Sequence, residues 1–294
     1  MTIDDGDGGT LRVERPPDVE AFLARAGGFL AANEAANNLL FGICASLRVN
    51  PTTYGEPARF AVVARPGGAG DRVVAAALQT PPHQLVLSRI EGPGAADALA
   101  DALADEVLPG VLGSPEIVRR FADRWASRTG RRAERAMAER IFQLTAVRMP
   151  RPTSGSMRIA SEQDRALVSD WLRAFADEAL GESFEDPDVA ADRWISDSGR
   201  RLHLWQDGDA SVSLCGVGGA TPNGTRVGPV YTPPALRGRG YASNLVAHAS
   251  KAQLEAGRRF VFLFTDLANP TSNRIYQAIG YEPVEDVDQY VFRD

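Results

Sequence analysis

Lysine is almost missing from this chain: Lys251 is the only one, although Lys and Arg together number 32. Against 38 acidic residues the net charge is −6, so no general basic field exists for grasping nucleic acid, and no nucleic-acid partner is expected. The arginine excess reads as coding bias. Cysteine and histidine are nearly as scarce. Cys44 and Cys215, with His83, His203 and His248, lie far apart and show no metal-ligand spacing. No metal is expected, and the thiols read as small buried hydrophobes. Also lacking is any run of about 18 apolar residues, the length a membrane helix needs. The first residues, MTIDDGDGGT, are acidic without an apolar stretch, so a secretory leader is not expected either. The expected compartment is the cytoplasm, with no membrane partner.

What is present is ordinary for a folded protein. Hydrophobic residues make up 44% and charged residues 24% of 294, which excludes disorder as the dominant state and suits about two domains. The clearest punctuation is Met149-Pro-Arg-Pro-Thr-Ser-Gly-Ser156, a Pro/Gly/Ser segment that reads as a linker. The expected division is a disordered acidic tail over 1–14, a first domain over 15–148, the linker at 149–156 and a second domain over 157–294. The second half alternates strand and helix signals. A short strand near 157–160 precedes a helix capped by Ser161, with Trp171, Leu172 and Phe175 on its apolar face. The turn Asp207-Gly208 predicts a hairpin. A helix runs over 241–256 and is stopped by Gly257, and the apolar strand 260–264 reads as central to a sheet. The fold class is mixed α/β.

Two segments carry chemistry. Arg237-Gly-Arg-Gly-Tyr-Ala242 stands between a strand and a helix. Its glycines let backbone N–H groups approach an anion, the helix N-terminus adds partial positive charge, and Arg237 and Arg239 offer forks for phosphate. A tight turn with no ligand explains the same glycines. A Walker loop would need Gly-Lys-Ser/Thr, which is absent. A dinucleotide fingerprint would need a strand running straight into the first glycine, where Pro233 and Pro234 intervene; Asp266 could stand in for its ribose acid. In the second segment, Asn269 to Tyr281, Asn269 suits an N-cap, Pro270 a first helical residue and Gly280 a stop. Asn273 and Tyr276 are left over, spaced to lie near one another on successive turns.

These two motifs, in this order and with an apolar strand between them, resemble the GNAT superfamily of N-acetyltransferases. The family's acyl-CoA loop, Arg/Gln-x-x-Gly-x-Gly/Ala, stands here as Arg237 to Ala242. The Asn-led helix that carries Tyr and ends in Gly-Phe/Tyr stands as Asn269, Tyr276 and Gly280-Tyr281. The resemblance covers about residues 157–294. It implies acetyl-CoA as cosubstrate, with its pyrophosphate on the amides of Gly238, Arg239, Gly240, Tyr241, Ala242 and Ser243. Pantetheine would pair along the strand edge at Val230, Tyr231 and Thr232, beside Asn269 and Asn273. An N–H near Val230 would meet the oxyanion, and Tyr276 resembles the family's general acid. Glu178, Glu182, Glu185 and Asp266 are candidates for the base by residue type only, with water as the alternative. The acceptor is expected to be a small-molecule or peptide amine. A CoA-binding sensor or scaffold with little turnover, or a nucleotide-dependent oxidoreductase, are the other readings open at this point.

The first half follows the same order. Strands at ARFAVVAR, RVVAAALQT and QLVLSRI lead to Glu91-Gly-Pro-Gly-Ala-Ala96, aligned with Arg237–Ala242. Glutamate replaces the first arginine, Pro93 removes a donor, and Phe121 stands where Tyr276 does, behind Ser114-Pro115. The expectation is therefore two GNAT-like domains, each a mixed, largely antiparallel twisted sheet flanked by helices. The first would be degenerate and would cover or shape the acceptor side. The sequence leaves oligomeric state open, a homodimer included.

Overall fold

Strands form where β-branched and aromatic residues run together, and helices where apolar residues recur every three or four positions. The computed structural model describes residues 2–4, 10–67, 70–179, 186–196 and 199–294. The chain divides into two units: Met1–Arg140 with Glu285–Asp294, and Ile141–Val284.

In the first unit the elements are β1 (Thr2–Asp4), β2 (Thr10–Glu14), α1 (Val19–Ala31), α2 (Asn38–Val49), β3 (Arg59–Arg65) and β4 (Arg72–Gln79). They continue with β5 (Leu85–Leu87), α3 (Pro93–Ala102), β6 (Gly110–Gly113), α4 (Pro115–Thr129) and β7 (Arg132–Leu144). Neighbouring strands from β1 to β5 run antiparallel, and β5 is parallel to β6. The strand next to β6 comes from the far end of the chain: Asp288 to Val291 pair antiparallel with Gly113 to Gly110. Its Phe292 ring stacks on Trp125 of α4 at 4.2 Å between centroids. The core joins these rings to Val63, Val74, Leu99 and Phe121, all but closed to solvent.

The second unit repeats that order. Its elements are β8 (Ser156–Ile159), α5 (Arg165–Ala179), α6 (Pro187–Ser196), β9 (Arg201–Asp207), β10 (Ala210–Gly218) and β11 (Gly224–Tyr231). Then follow α7 (Tyr241–Glu255), β12 (Phe260–Asp266), α8 (Pro270–Ile279) and β13 (Glu282–Arg293), the last of which belongs to the first unit from Glu285 onward. From β2 and from β8 alike, the chain runs β-α-α-β-β-β-α-β-α-β. Strands β8 to β11 are antiparallel neighbours and β11 is parallel to β12. The end of β7, residues 141–144, belongs to this unit, and β7 lies next to β12. One sheet face packs Val217, Leu245, Leu263 and Tyr281 under α7 and α8. The other packs Leu202, Leu204 and Leu214 under α5 and α6. This is the mixed α/β, largely antiparallel architecture expected, present twice.

Three boundaries differ from expectation. Residues 10–14 are no disordered tail: Leu11 and Val13 are buried, and β2 pairs with β3, because their alternation gives the strand one apolar face. The last strand does not close the second unit. Residues 285–294 belong to the first, where Phe292 fills its core. Segment 149–156 is no free linker but part of the second unit, bonded along its length as described below.

Candidate active site

Helix α8 starts and stops as its sequence dictates. The Asn269 side chain accepts from the Ser272 N–H at 3.1 Å, Pro270 is the first helical residue, and Gly280 ends the helix at φ 114°. A side chain at Gly280 would also collide with the Ala146 carbonyl, 2.8 Å from where its Cβ would be. Asn273 donates to the carbonyls of Asp266 and Asn269, at 2.9 and 2.7 Å, and its Oδ1 is buried without a partner among the described residues.

The strands beside this helix part company. β11 and β12 pair at Gly224/Phe260, Thr225/Val261 and Arg226/Phe262, and there the pairing ends. Yet β11 runs on to Tyr231 and β12 to Asp266. Past Arg226, among the described residues, the β12-facing edge of β11 has no strand paired with it. On its other side β11 stays attached, with Val230 opposite Cys215 and Tyr231 opposite Leu214. β10 bulges between Cys215 and Val217, and a Cβ on Gly216 would lie 2.7 Å from the Trp194 ring of α6. Only glycine allows that indole to rest on the strand.

β11 leads into the glycine loop. Gly238 and Gly240 sit at φ 78° and 83°, which other residues rarely adopt. Nothing lies within 4 Å of the place a Gly238 Cβ would occupy. Gly240 precedes α7, whose first residues Tyr241, Ala242 and Ser243 present amides without intrahelical partners. Arg237 does not reach out from this loop. Its Nε donates to the Thr232 carbonyl at 2.8 Å, its Nη2 to Glu178 at 2.6 Å, and it lies over the Tyr231 ring. Arg239 stays exposed, with one long bond to the Ala235 carbonyl.

Tyr276 is buried at 9% exposure, edge-on to Tyr281 at 6.0 Å. The Tyr281 hydroxyl is bonded to Ser250 at 2.8 Å, whereas no hydrogen bond of the Tyr276 hydroxyl is found among the described residues. Burial first, and then the nearby Cys215, raise the Tyr276 phenol, so it is protonated at neutral pH. Burial likewise pushes the Cys215 thiol up to about 12, which rules out a thiolate nucleophile there. Of the candidate bases, Glu178 is held by Arg237, and Asp266 accepts from the Ala268 N–H at 2.7 Å as part of the turn into α8. Glu182 and Glu185 lie outside the described residues.

Residues 165–281 match the model of the Acetyltransferase (GNAT) family. The match lies within the second unit, which is similar to a GNAT domain over those residues. No curated protein is significantly similar in sequence. Among solved structures, the chain is similar to a Drosophila protein, 13% identical, with a TM-score of 0.66 over 100% of this chain and 98% of that one. It is also similar to a GCN5-related N-acetyltransferase from Sphaerobacter thermophilus (18% identical, TM-score 0.59, covering 99% and 96%). A tandem GNAT protein from the clavulanic acid biosynthesis pathway gives 17% identity and a TM-score of 0.54, covering 96% and 97%. At such identities the likeness is one of fold. Acyl transfer is the chemistry of the GNAT family. Among the described residues no helix is long and apolar enough to cross a membrane, and no group of His, Cys, Asp or Glu could hold a metal ion.

The first unit shares the GNAT order but not these local features. β5 stops at Leu87, one residue past its last pair with β6, Val86 with Leu112. A Cβ on Gly113 would meet the Leu87 Cβ at 3.2 Å, so the ends of these strands stay closed. Glu91 is ion-paired with Arg72, Pro93 opens α3, and Phe121 is fully buried. Beyond the GNAT motifs, the second unit uses residues that sequence reading passed over. Trp194, Asn244 and Thr153 carry no local motif and Asp207 reads only as a turn residue, so their tertiary neighbours alone give them this role.

Proposed function

We propose that the second unit transfers an acetyl group from acetyl-CoA to a primary amine by direct attack on the thioester. The observation that carries this reading is the parting of β11 from β12 after Arg226 and Phe262, with the loop of Gly238 and Gly240 and the start of α7 directly downstream. The residues present fit acetyl-CoA. Gly238 and Gly240 leave room for phosphates against the amides of 238–243, and the vacated edge of Val230–Thr232 can pair with the pantetheine amides. Asn269 and Asn273 lie at the start of α8 beside that edge's former partner, and the buried Asn273 Oδ1 offers an acceptor. Acetyl-CoA supplies an activated acyl carbon.

The chain's own groups do the rest. A neutral amine adds to the thioester carbonyl, and an N–H near Val230 stabilises the oxyanion that forms. When the intermediate collapses the C–S bond breaks, and the Tyr276 hydroxyl gives its proton to the departing sulfur. With Glu178 and Asp266 engaged, the amine's proton leaves through water. The first unit binds no acyl-CoA in this reading, because its strands stay closed and Pro93 removes an amide donor at the start of α3.

The test is CoA-thiol release with a panel of small-molecule and peptide amines, alongside calorimetry with acetyl-CoA. Saturable, amine-dependent release supports the enzyme. Tight binding with no release across the panel replaces it with a CoA-binding sensor, and absence of binding overturns both.

A further inference from the structure

The glycine loop is fastened from behind by a segment no motif marks. Thr153 Oγ1 donates to the Arg239 carbonyl at 3.0 Å. Asn244 Nδ2 donates both to the Gly240 carbonyl at 3.0 Å and to the Arg151 carbonyl at 3.1 Å. Asp207 accepts from Ser154 Oγ at 2.8 Å and from the Tyr241 hydroxyl at 2.6 Å. Trp205 Nε1 donates to the Ser154 carbonyl at 2.8 Å. A Cβ on Gly240 would lie 3.9 Å from the Thr153 Cβ, so the segment runs against the loop itself.

We propose that residues 151–154 form a strap that presets the anion-binding amides, with Thr153, Asn244 and Asp207 as positioning residues. In a trans peptide unit the carbonyl and the N–H point in opposite directions. Holding the Arg239 carbonyl on Thr153 therefore aims the Gly240 N–H away from the strap. Holding the Gly240 carbonyl on Asn244 does the same for the Tyr241 N–H. Asp207 ties the Tyr241 side chain and the strap to one carboxylate, so helix start and strap hold one register. Donors fixed before the anion arrives need not be ordered on binding. The proposal rests on the acetyl-CoA reading above.

Its test is Thr153→Val, which keeps shape and loses the hydroxyl. Losing one hydrogen bond predicts a dissociation constant and KM for acetyl-CoA raised about five-fold. kcat at saturation should fall less than two-fold, and Thr153→Ser should bind as wild type does. Amide exchange at 238–242 in the free protein should speed up in Thr153→Val, while exchange in β12 stays unchanged. Wild-type-like affinity and exchange in Thr153→Val, or a Thr153→Ser variant as weak as the valine, overturn the strap alone. A wild-type chain that binds no acetyl-CoA overturns the underlying reading, and with it the strap's role in binding.

Discussion

Glu178 of helix α5 and Arg237 of the glycine loop form an ion pair, Oε2 to Nη2 at 2.6 Å, while the same arginine holds the Thr232 carbonyl. Their side chains are 44% and 48% exposed, so the pair contributes well under about 1 kcal/mol to stability. Its effect is positional. Glu178 acts on the loop through Arg237 rather than on an amine. Glu178→Gln should therefore leave the acid limb of the kcat/KM profile in place. Arg237→Ala should raise KM for acetyl-CoA about ten-fold. The double variant should be no worse than Arg237→Ala alone. A lost acid limb in Glu178→Gln would restore the glutamate as base.

Tyr276→Phe separates chemistry from binding. The residue is buried and its hydroxyl has no hydrogen-bond partner among the described residues, so removing it leaves no group unpaired and the thermal midpoint unchanged or slightly raised. Turnover should fall about a hundred-fold with cofactor affinity intact, as for loss of a general acid. Full activity in the variant would remove Tyr276 from the mechanism.

Asp164 gives the second unit an acid-sensitive anchor. It closes a capping box with Ser161 and accepts both Arg158 Nη atoms at 2.7 Å. These bonds hold its carboxyl at about 2, below the ordinary 3.8. The depressed value makes the contribution full above about pH 4 and lost as pH falls toward 2, worth about 2 kcal/mol. Denaturant titrations of Asp164→Asn should show that deficit at pH 7 and a shrinking one from pH 4 downward. A deficit independent of pH would contradict the ionic origin.

Phe292 tests the return of the chain end to the first unit. Its ring is buried against Trp125, whose indole N–H donates to the Leu103 carbonyl at 3.0 Å. Phe292→Ala should cost about 3–4 kcal/mol. Faster amide exchange should appear in β6 and α4, ahead of any change in α7. Exchange disturbed first in α7 would contradict the assignment of residues 285–294.

Much of the fold was legible because its signals are local. Asn269, Pro270 and Gly280 bound α8 as their chemistry requires, and the glycines at 238 and 240 take the backbone angles that only glycine visits freely. Tyr276 stood out because a buried phenol needs a partner, and none is found for it among the described residues. The strand exchange at the chain's end was not legible. QYVF reads as a strand in either unit, and which sheet edge it meets depends on where distant edges lie. Segment 149–156 misled for a related reason. Its Pro and Gly content speaks of turns, and says nothing of the carbonyls and carboxylate that Thr153 and Ser154 find.

The sequence by itself determined the elements, their repeated order and the glycine loop, since propensity, capping and φ are set by residues a few positions apart. Only the tertiary structure decided what the charged side chains do. Arg237 turns to Glu178 because α5 brings a carboxylate to it from 59 residues away. Asp207 becomes an anchor because β9 ends beside α7. An ion pair or buried hydrogen bond is chosen by distance in space, which no local pattern encodes.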